Sequence, residues 1–304
     1  MTNRNLDKLA PIVLFVYNRP EHTKRTVESL IKNSLASKSA LFIFSDGANR
    51  DKDEQNVKAV RDYIITIKGF DKIEIVVRKK NYGLANSVIS GINEVFNSYD
   101  NAIVLEDDII SSPYFLKYMN EVLNFFEDDL RIYSVTGYTF PIKIPKNYHN
   151  SLYLSPRASS WGWGTWKDRW EKVDWEVKDF TTFNADKKAQ KLFNSGGEDL
   201  TPMLKAQMRG RIDSWAIRWS YAHFKNNSYC LYPIVPQCKN IGTDKSGTHS
   251  SASQKLDITL FDREVDINLT NDLNPNDEII ELIKKLVKPS PIRYIINTLK
   301  DYLH

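Results

Sequence analysis

The sequence predicts an α/β protein: a mostly parallel sheet flanked by helices. Three observations carry that expectation. Short, continuous apolar runs rich in β-branched and aromatic residues recur through the first 140 residues, the pattern of strands buried on both faces. Stretches of helical period separate them. The carboxyl end of each run is polar: Asn18 and Arg19, then Asp46 and Gly47, then Lys79, Lys80 and Asn81, then Glu106, Asp107 and Asp108. Open α/β sheets bind their ligands beyond these ends.

Taken in order, PIVLFVY (11–17) is the first expected strand, and Pro20 opens a helix through EHTKRTVESLIKN, with Thr26, Leu30 and Ile31 near helical spacing. ALFIFSD (40–46) is the second strand, DEQNVKAVRDYIITIK (53–68) an amphipathic helix, and KIEIVVR (72–78) the third strand. GLANSVISGINEVFNSY (83–99) reads as helix, with Leu84, Val88, Ile92, Val95 and Phe96 on one face. NAIVLE, the helix of SPYFLKYMNEVLNFFED and RIYSVTGY (131–138) complete the alternation. After Tyr138 the texture changes. Five of the seven tryptophans fall within residues 161–175, residues 178–210 are polar and helical, DSWAIRWSYAHFKNN (213–227) is an aromatic helix, and residues 239–251 are a Gly/Ser/Thr-rich loop. The expected organisation is residues 1–140 and 141–273 as two halves of one domain, then a basic amphipathic helical tail over 274–304.

With 304 residues, 41% hydrophobic and 26% charged, the chain can bury a sizeable core. A net charge of +4 is too mild to point to nucleic acid and suits anionic or phosphorylated partners. Cys230 and Cys238 form neither a disulfide framework nor a metal-spaced pair and are expected as free thiols. No apolar run approaches the eighteen or so residues a membrane span needs. The expected setting is the bacterial cytoplasm. The tail offers a peripheral contact with the inner membrane through Ile279, Ile280, Ile283, Leu286 and Val287, flanked by Lys284, Lys285 and Lys288. The same stripe also suits packing on the catalytic domain or on a second copy in a homodimer.

The acidic triplet Glu106-Asp107-Asp108 raises the central question, because three adjacent buried carboxylates need a positive partner. A carboxylate at a strand end can hold Mn2+ or Mg2+, which fills its shell with water and phosphate oxygens; a turn or a helix cap is the alternative. Asp46-Gly47 is a turn signal, with Asp46 also placed to accept from a nucleobase or ribose. Gly83 precedes a helix whose N-terminus, near basic residues, favours phosphate. Trp161, Trp163 and Trp166 can stack on sugar rings or pack a core, and the GWG tripeptide suggests a closely approached backbone. His249 can bind metal or phosphate.

Together, PIVLFVYNRPEHTKRTVESL, FSDG, KNYGLANSVISGI and VLEDDIISSPYFLKYM, in this order, resemble a nucleotide-sugar glycosyltransferase of the GT-A fold. The EDD triplet followed by Ser-Pro-x-Phe is similar to the N-acetylglucosaminyltransferase I family; the opening and helical segments resemble bacterial family 2 type enzymes of capsule and lipopolysaccharide synthesis. The resemblance implies that Asn18, Arg19 and Asp46 hold the nucleoside, and that Asn81 and Gly83 line the uracil and ribose side. It implies further that Glu106 and Asp107 approach ribose and sugar, and that Asp108 binds the metal. GRIDSWAIRW resembles the stretch that supplies the base in inverting members, which gives that role to Asp213, with a helix cap as its alternative. IGTDKSGTHS, with Gly242 and His249, resembles a loop that closes over the donor diphosphate. The implied reaction is metal-dependent transfer of a hexose or N-acetylhexosamine from a nucleotide-sugar donor, with UDP as the expected nucleotide, to a glycan or lipid-linked acceptor of surface polysaccharide. A sugar nucleotidyltransferase is the rival, though FVYNRPEHTKRT lacks its Gly-rich signature. An inactive scaffold of a polysaccharide assembly complex is the non-enzymatic alternative.

Overall fold

Every expected strand of the first half forms, because runs such as IVLFV are apolar at consecutive positions and can be covered on both faces. The computed structural model describes residues 9–242, 254–261 and 263–289. Its first half alternates β1 (Ile12–Val16), α1 (Pro20–Ile31), β2 (Ala40–Ser45), α2 (Glu54–Ile64), β3 (Lys72–Val77), α3 (Leu84–Val95) and β4 (Asn101–Glu106). Next come β5 (Ile109–Ser111), α4 (Phe115–Phe125), β6 (Ile132–Thr136), β7 (Leu152–Ser155) and β8 (Trp163–Trp166). The remainder is α5 (Lys167–Trp170), α6 (Phe180–Ala185), α7 (Lys187–Phe193), α8 (Leu200–Met208), α9 (Trp215–Lys225), β9 (Tyr229–Pro233), β10 (Cys238–Asn240) and α10 (Asp277–Val287).

Eight strands make one sheet in the order β3-β2-β1-β4-β8-β6-β9-β7. The first four are parallel; β8 runs antiparallel between β4 and β6, and β9 pairs parallel with β6 and antiparallel with β7. This is the mostly parallel, helix-flanked GT-A arrangement the sequence implied. Side chains of β1 alternate between the two covered faces, as a two-residue period requires. Ile12, Leu14 and Val16 join the side packed by α1 and α4, with Leu30, Leu116 and Met119. Val13 and Phe15 join the side packed by α3 and α9, with Val88, Ile92, Trp215 and Trp219. Each such buried side chain contributes on the order of 1.5–3 kcal/mol. Phe15 lies opposite both Phe44 and Glu106, so β1, β2 and β4 end at the same edge and release Asn18, Asp46 and Asp107 side by side.

The structure decides three readings that the sequence left open. Trp163 and Trp166 are 0% and 2% exposed and pack the core, so neither can reach a sugar. What approaches the GWG backbone is protein: a Cβ on Gly162 would stand 2.5 Å from the Cys238 sulfur, and one on Gly164 2.9 Å from the Ala102 carbonyl oxygen. The first half of the tail is α10, capped by Asn276, whose Oδ1 accepts from the Ile279 amide. Ile279 and Ile283 are buried in the main core, and Leu286 and Val287 pack against it. That stripe is therefore not available to a membrane surface. The second half of the tail, from residue 290, lies outside the described residues. Among the described residues, no helix is long and apolar enough to cross a membrane.

Candidate active site

The site grows from β4. Its apolar residues Ala102 to Leu105 are buried, and the triplet follows as the strand leaves the sheet. Asp107 and Asp108 are themselves 7% and 9% exposed. The Asp107 carbonyl is held by the Thr26 hydroxyl at 2.8 Å. The positive partner is Arg19, at the start of α1: its Nη1 lies 2.9 Å from Asp108 Oδ2 and 3.5 Å from Asp107 Oδ1. One guanidinium does not balance three carboxylates. Burial, then repulsion from Asp108 and Asp107, drives the Glu106 carboxyl well above its ordinary range; burial and Asp108 push Asp107 up to about 7. The neighbouring Trp215 indole works against that rise.

A small second sheet covers Asp108. β10 pairs antiparallel with β5, opposing Asn240 to Ile109. This brings the Asn240 amide nitrogen to Asp108 Oδ1 at 3.0 Å, and the Ile241 N–H to the Asp108 carbonyl at 2.8 Å. Gly242 is then so close that a Cβ there would stand 2.0 Å from Asp108 Oδ2 and 2.9 Å from Arg19 Nη2. A side chain at position 242 would have to displace the Asp108 carboxylate and the Arg19 guanidinium.

The other wall comes from β2 and the turn before α3. Asp46, 6% exposed, accepts from the backbone amides of Gly47, Tyr82 and Gly83 at 2.9–3.1 Å. Burial raises its pKa, and those amides work against the rise. Asn81 ties the same loops together: its side chain donates to the Gly47 carbonyl at 2.7 Å and accepts from Gly83 at 3.1 Å. Gly83 sits at φ 74°, a backbone conformation that disfavours other residues. Its amide is thus taken up within the protein. Asp213 meets this wall, with Oδ2 3.3 Å from where a Gly83 Cβ would be. It also pairs with Arg218 at 3.7 Å, and its side chain is 56% exposed. The helix-cap alternative for Asp213 fails, because Ser214 caps α9 by accepting from the Ile217 amide.

The structure therefore gathers Arg19, Glu106, Asp107, Asp108 and Gly242 in one cluster. Asp46, Asn81, Gly83 and Asp213 form an adjoining one, linked to the first through Trp215. Asn18 faces a different partner, donating to Asp53 at 3.1 Å in a turn that also holds Tyr17 and Arg50. Trp161 is half-buried edge-on against Tyr138, 4.6 Å between ring centroids. His249 lies outside the described residues, as does most of the loop 241–250. Sequence reasoning missed Asn240, Trp215 and Asp53, which sit in an ordinary polar strand, an aromatic helix and a charged run. Among the described residues, no three Asp, Glu, His or Cys groups converge to hold a metal unaided. A hard cation here would take few protein ligands, as Mn2+ and Mg2+ do when phosphate completes the shell.

A parallel sheet whose strand ends gather a carboxylate triplet, two of its members buried, together with a guanidinium and a more exposed carboxylate is the kind of α/β site that group-transfer enzymes use. The family model of the GNT-I family matches residues 1–180, and the chain belongs to that family. It is a nucleotide-sugar glycosyltransferase, which sets the nucleotidyltransferase rival aside. No curated protein sequence matches the chain. Among solved structures, it is similar to the mannosyltransferase PcManGT from Pyrobaculum calidifontis in complex with GDP-Man and Mn2+, at 14% identity and a TM-score of 0.39. That match covers 71% of this chain and 70% of the other. It is also similar to S. aureus TarS, at 10% identity and a TM-score of 0.41, over 74% of this chain and 37% of that one.

Proposed function

We propose that the protein transfers a hexose or N-acetylhexosamine from a UDP-linked donor to a glycan or lipid-linked acceptor of surface polysaccharide, with inversion and with Mn2+ or Mg2+. The observation that carries this reading is the Glu106-Asp107-Asp108 cluster, with Asp107 and Asp108 buried and a single guanidinium beside them. A divalent cation would supply the positive charge whose lack holds Glu106 and Asp107 above their ordinary range, and Asp108 is the residue to hold one. Bound there, the cation supplies Lewis-acid stabilisation of the departing diphosphate. The chain's own groups do the rest. Asp46, Asn81 and Gly83 shape the wall for the nucleoside, joined by Asn18 and its turn. Glu106 and Asp107 face ribose and sugar. Asp213 takes the proton of the acceptor hydroxyl as its oxygen attacks the anomeric carbon from the face opposite the leaving group. Its 56% exposure suits a base that an incoming acceptor must reach. Trp161, half-buried at the same end, offers a face to a sugar ring.

Calorimetry with UDP and Mn2+ tests the assignment. Asp108→Asn is expected to abolish metal-dependent UDP binding, and Glu106→Gln to weaken it less. Unchanged UDP–Mn2+ binding in Asp108→Asn would remove Asp108 from the metal site.

A further inference from the structure

Arg19 and residues 240–242 occupy the positions around Asp108 that a bound cation would need. Asp108 Oδ2 takes Arg19 Nη1 at 2.9 Å, Oδ1 takes Asn240 at 3.0 Å, and Gly242 presses on both Asp108 and Arg19. Meanwhile, the opposite edge of the guanidinium, Nε and Nη2, is buried and has no hydrogen-bond partner among the described residues. A buried, unpaired guanidinium edge is costly to keep. It is also the edge that grips two oxygens of one phosphate side by side.

We infer that Arg19 is an exchangeable counter-ion: it stands in for the metal on Asp108 in the donor-free enzyme, and it turns to the diphosphate when cation and nucleotide arrive together. This rests on the proposed metal role of Asp108 and adds a consequence for the order of binding. The bare cation competes with a resident positive charge and binds weakly. The nucleotide–cation complex binds well, because its phosphates give the displaced guanidinium a new partner. The enzyme thereby discriminates against free metal and favours the loaded donor. Asn240 and Gly242 take part as a cover: the small β5–β10 sheet holds the pair dry, which strengthens the Arg19–Asp108 attraction and makes the exchange a discrete step.

The test measures binding, not turnover, with MnCl2 and UDP as probes on the full chain. Removing the guanidinium in Arg19→Met is expected to tighten binding of Mn2+ alone by at least about tenfold, since a resident charge near the metal is gone. The same variant is expected to bind UDP at saturating Mn2+ about tenfold more weakly. Arg19→Lys keeps the charge but not the fork. It is expected to hold Mn2+ affinity near that of the parent while still losing UDP affinity, which also covers the case in which Arg19→Met folds poorly. Suppose Arg19→Met and the parent bind Mn2+ alike, while Asp108→Asn abolishes UDP–Mn2+ binding. The counter-ion role then falls and the metal assignment stands. If neither the parent nor any Arg19 variant takes Mn2+ or UDP, both fall.

Discussion

Asp213 stands one residue ahead of the α9 cap, free of the backbone bonds that Ser214 makes. Asp213→Asn is therefore expected to spare the helix and donor binding while lowering turnover by about 10²–10⁴, the usual worth of a general base. Single-turnover transfer at saturating donor measures this, and a near-normal rate would end its assignment as base. A second residue makes a different claim. His223 is fully buried on α9, with Nδ1 2.8 Å from the Trp219 carbonyl oxygen and Nε2 2.8 Å from the Ser134 hydroxyl. The natural pairing has Nδ1–H donating and Nε2 accepting, a neutral ring. Burial lowers its pKa from 6.5 to about 4. The folded state then resists protonation that the unfolded chain accepts. Stability is complete above pH 6.5 and declines as pH falls toward 4, by on the order of 2–3 kcal/mol at about pH 4.5. Urea melts at about pH 7 and pH 4.5 are expected to show a smaller difference in His223→Gln than in the parent. An equal difference would mean that another group sets the acid sensitivity.

Among the elements, α10 carries the clearest expectation. Ile283 is 1% exposed within the main core. Ile283→Ala is expected to cost about 2–4 kcal/mol in urea unfolding, the range for losing a buried aliphatic side chain. Affinity for UDP and Mn2+ should not change in the folded fraction. A loss under about 0.5 kcal/mol, the level of a surface change, would mean that the helix is only loosely docked. The elements also show where sequence reading stops. β1 to β4 and β6 were legible because apolar runs bounded by turn residues have few other uses. β8 was not, since WGTW lacks both alternation and a β-branched run, and its tryptophans read equally well as a sugar platform. β5 and β10 are three residues each, too short for any period, and exist because they pair with each other.

At the scale of the whole molecule, the triplet was legible as a problem: three charges cannot follow four buried apolar residues without a reason. Its solution was not legible. Arg19 is 89 residues from Asp108 in the chain and Asn240 is 132, and no local pattern announces either contact. The same distances suggest a global assay. A ligand that binds only the folded protein raises its stability by mass action, about 2.7 kcal/mol at a hundred times Kd. In a thermal-shift series of UDP, GDP, CMP and dTDP with Mn2+, UDP is expected to raise Tm most, by a few degrees for a chain of this size. A larger rise with GDP would reassign the donor nucleotide, leaving the fold and the carboxylate cluster as described.

The cover over Asp108 bears on how the chain is made. On the ribosome, Asp108 emerges 132 residues before Asn240. At roughly 5–20 residues per second, that is a delay of about 7 to 26 seconds. For the first part of it, until Trp163–Trp166 are made, β4 also lacks β8, its neighbour on the far side, and shows an unpaired apolar edge of the kind that recruits other strands. Until Asn240 follows, the three carboxylates stay wet, and like-charge repulsion opposes the pairing of two nascent copies through that edge. The same carboxylates thus work against mispairing while the chain is incomplete, and their cluster closes only after the rest of the sheet can close with it.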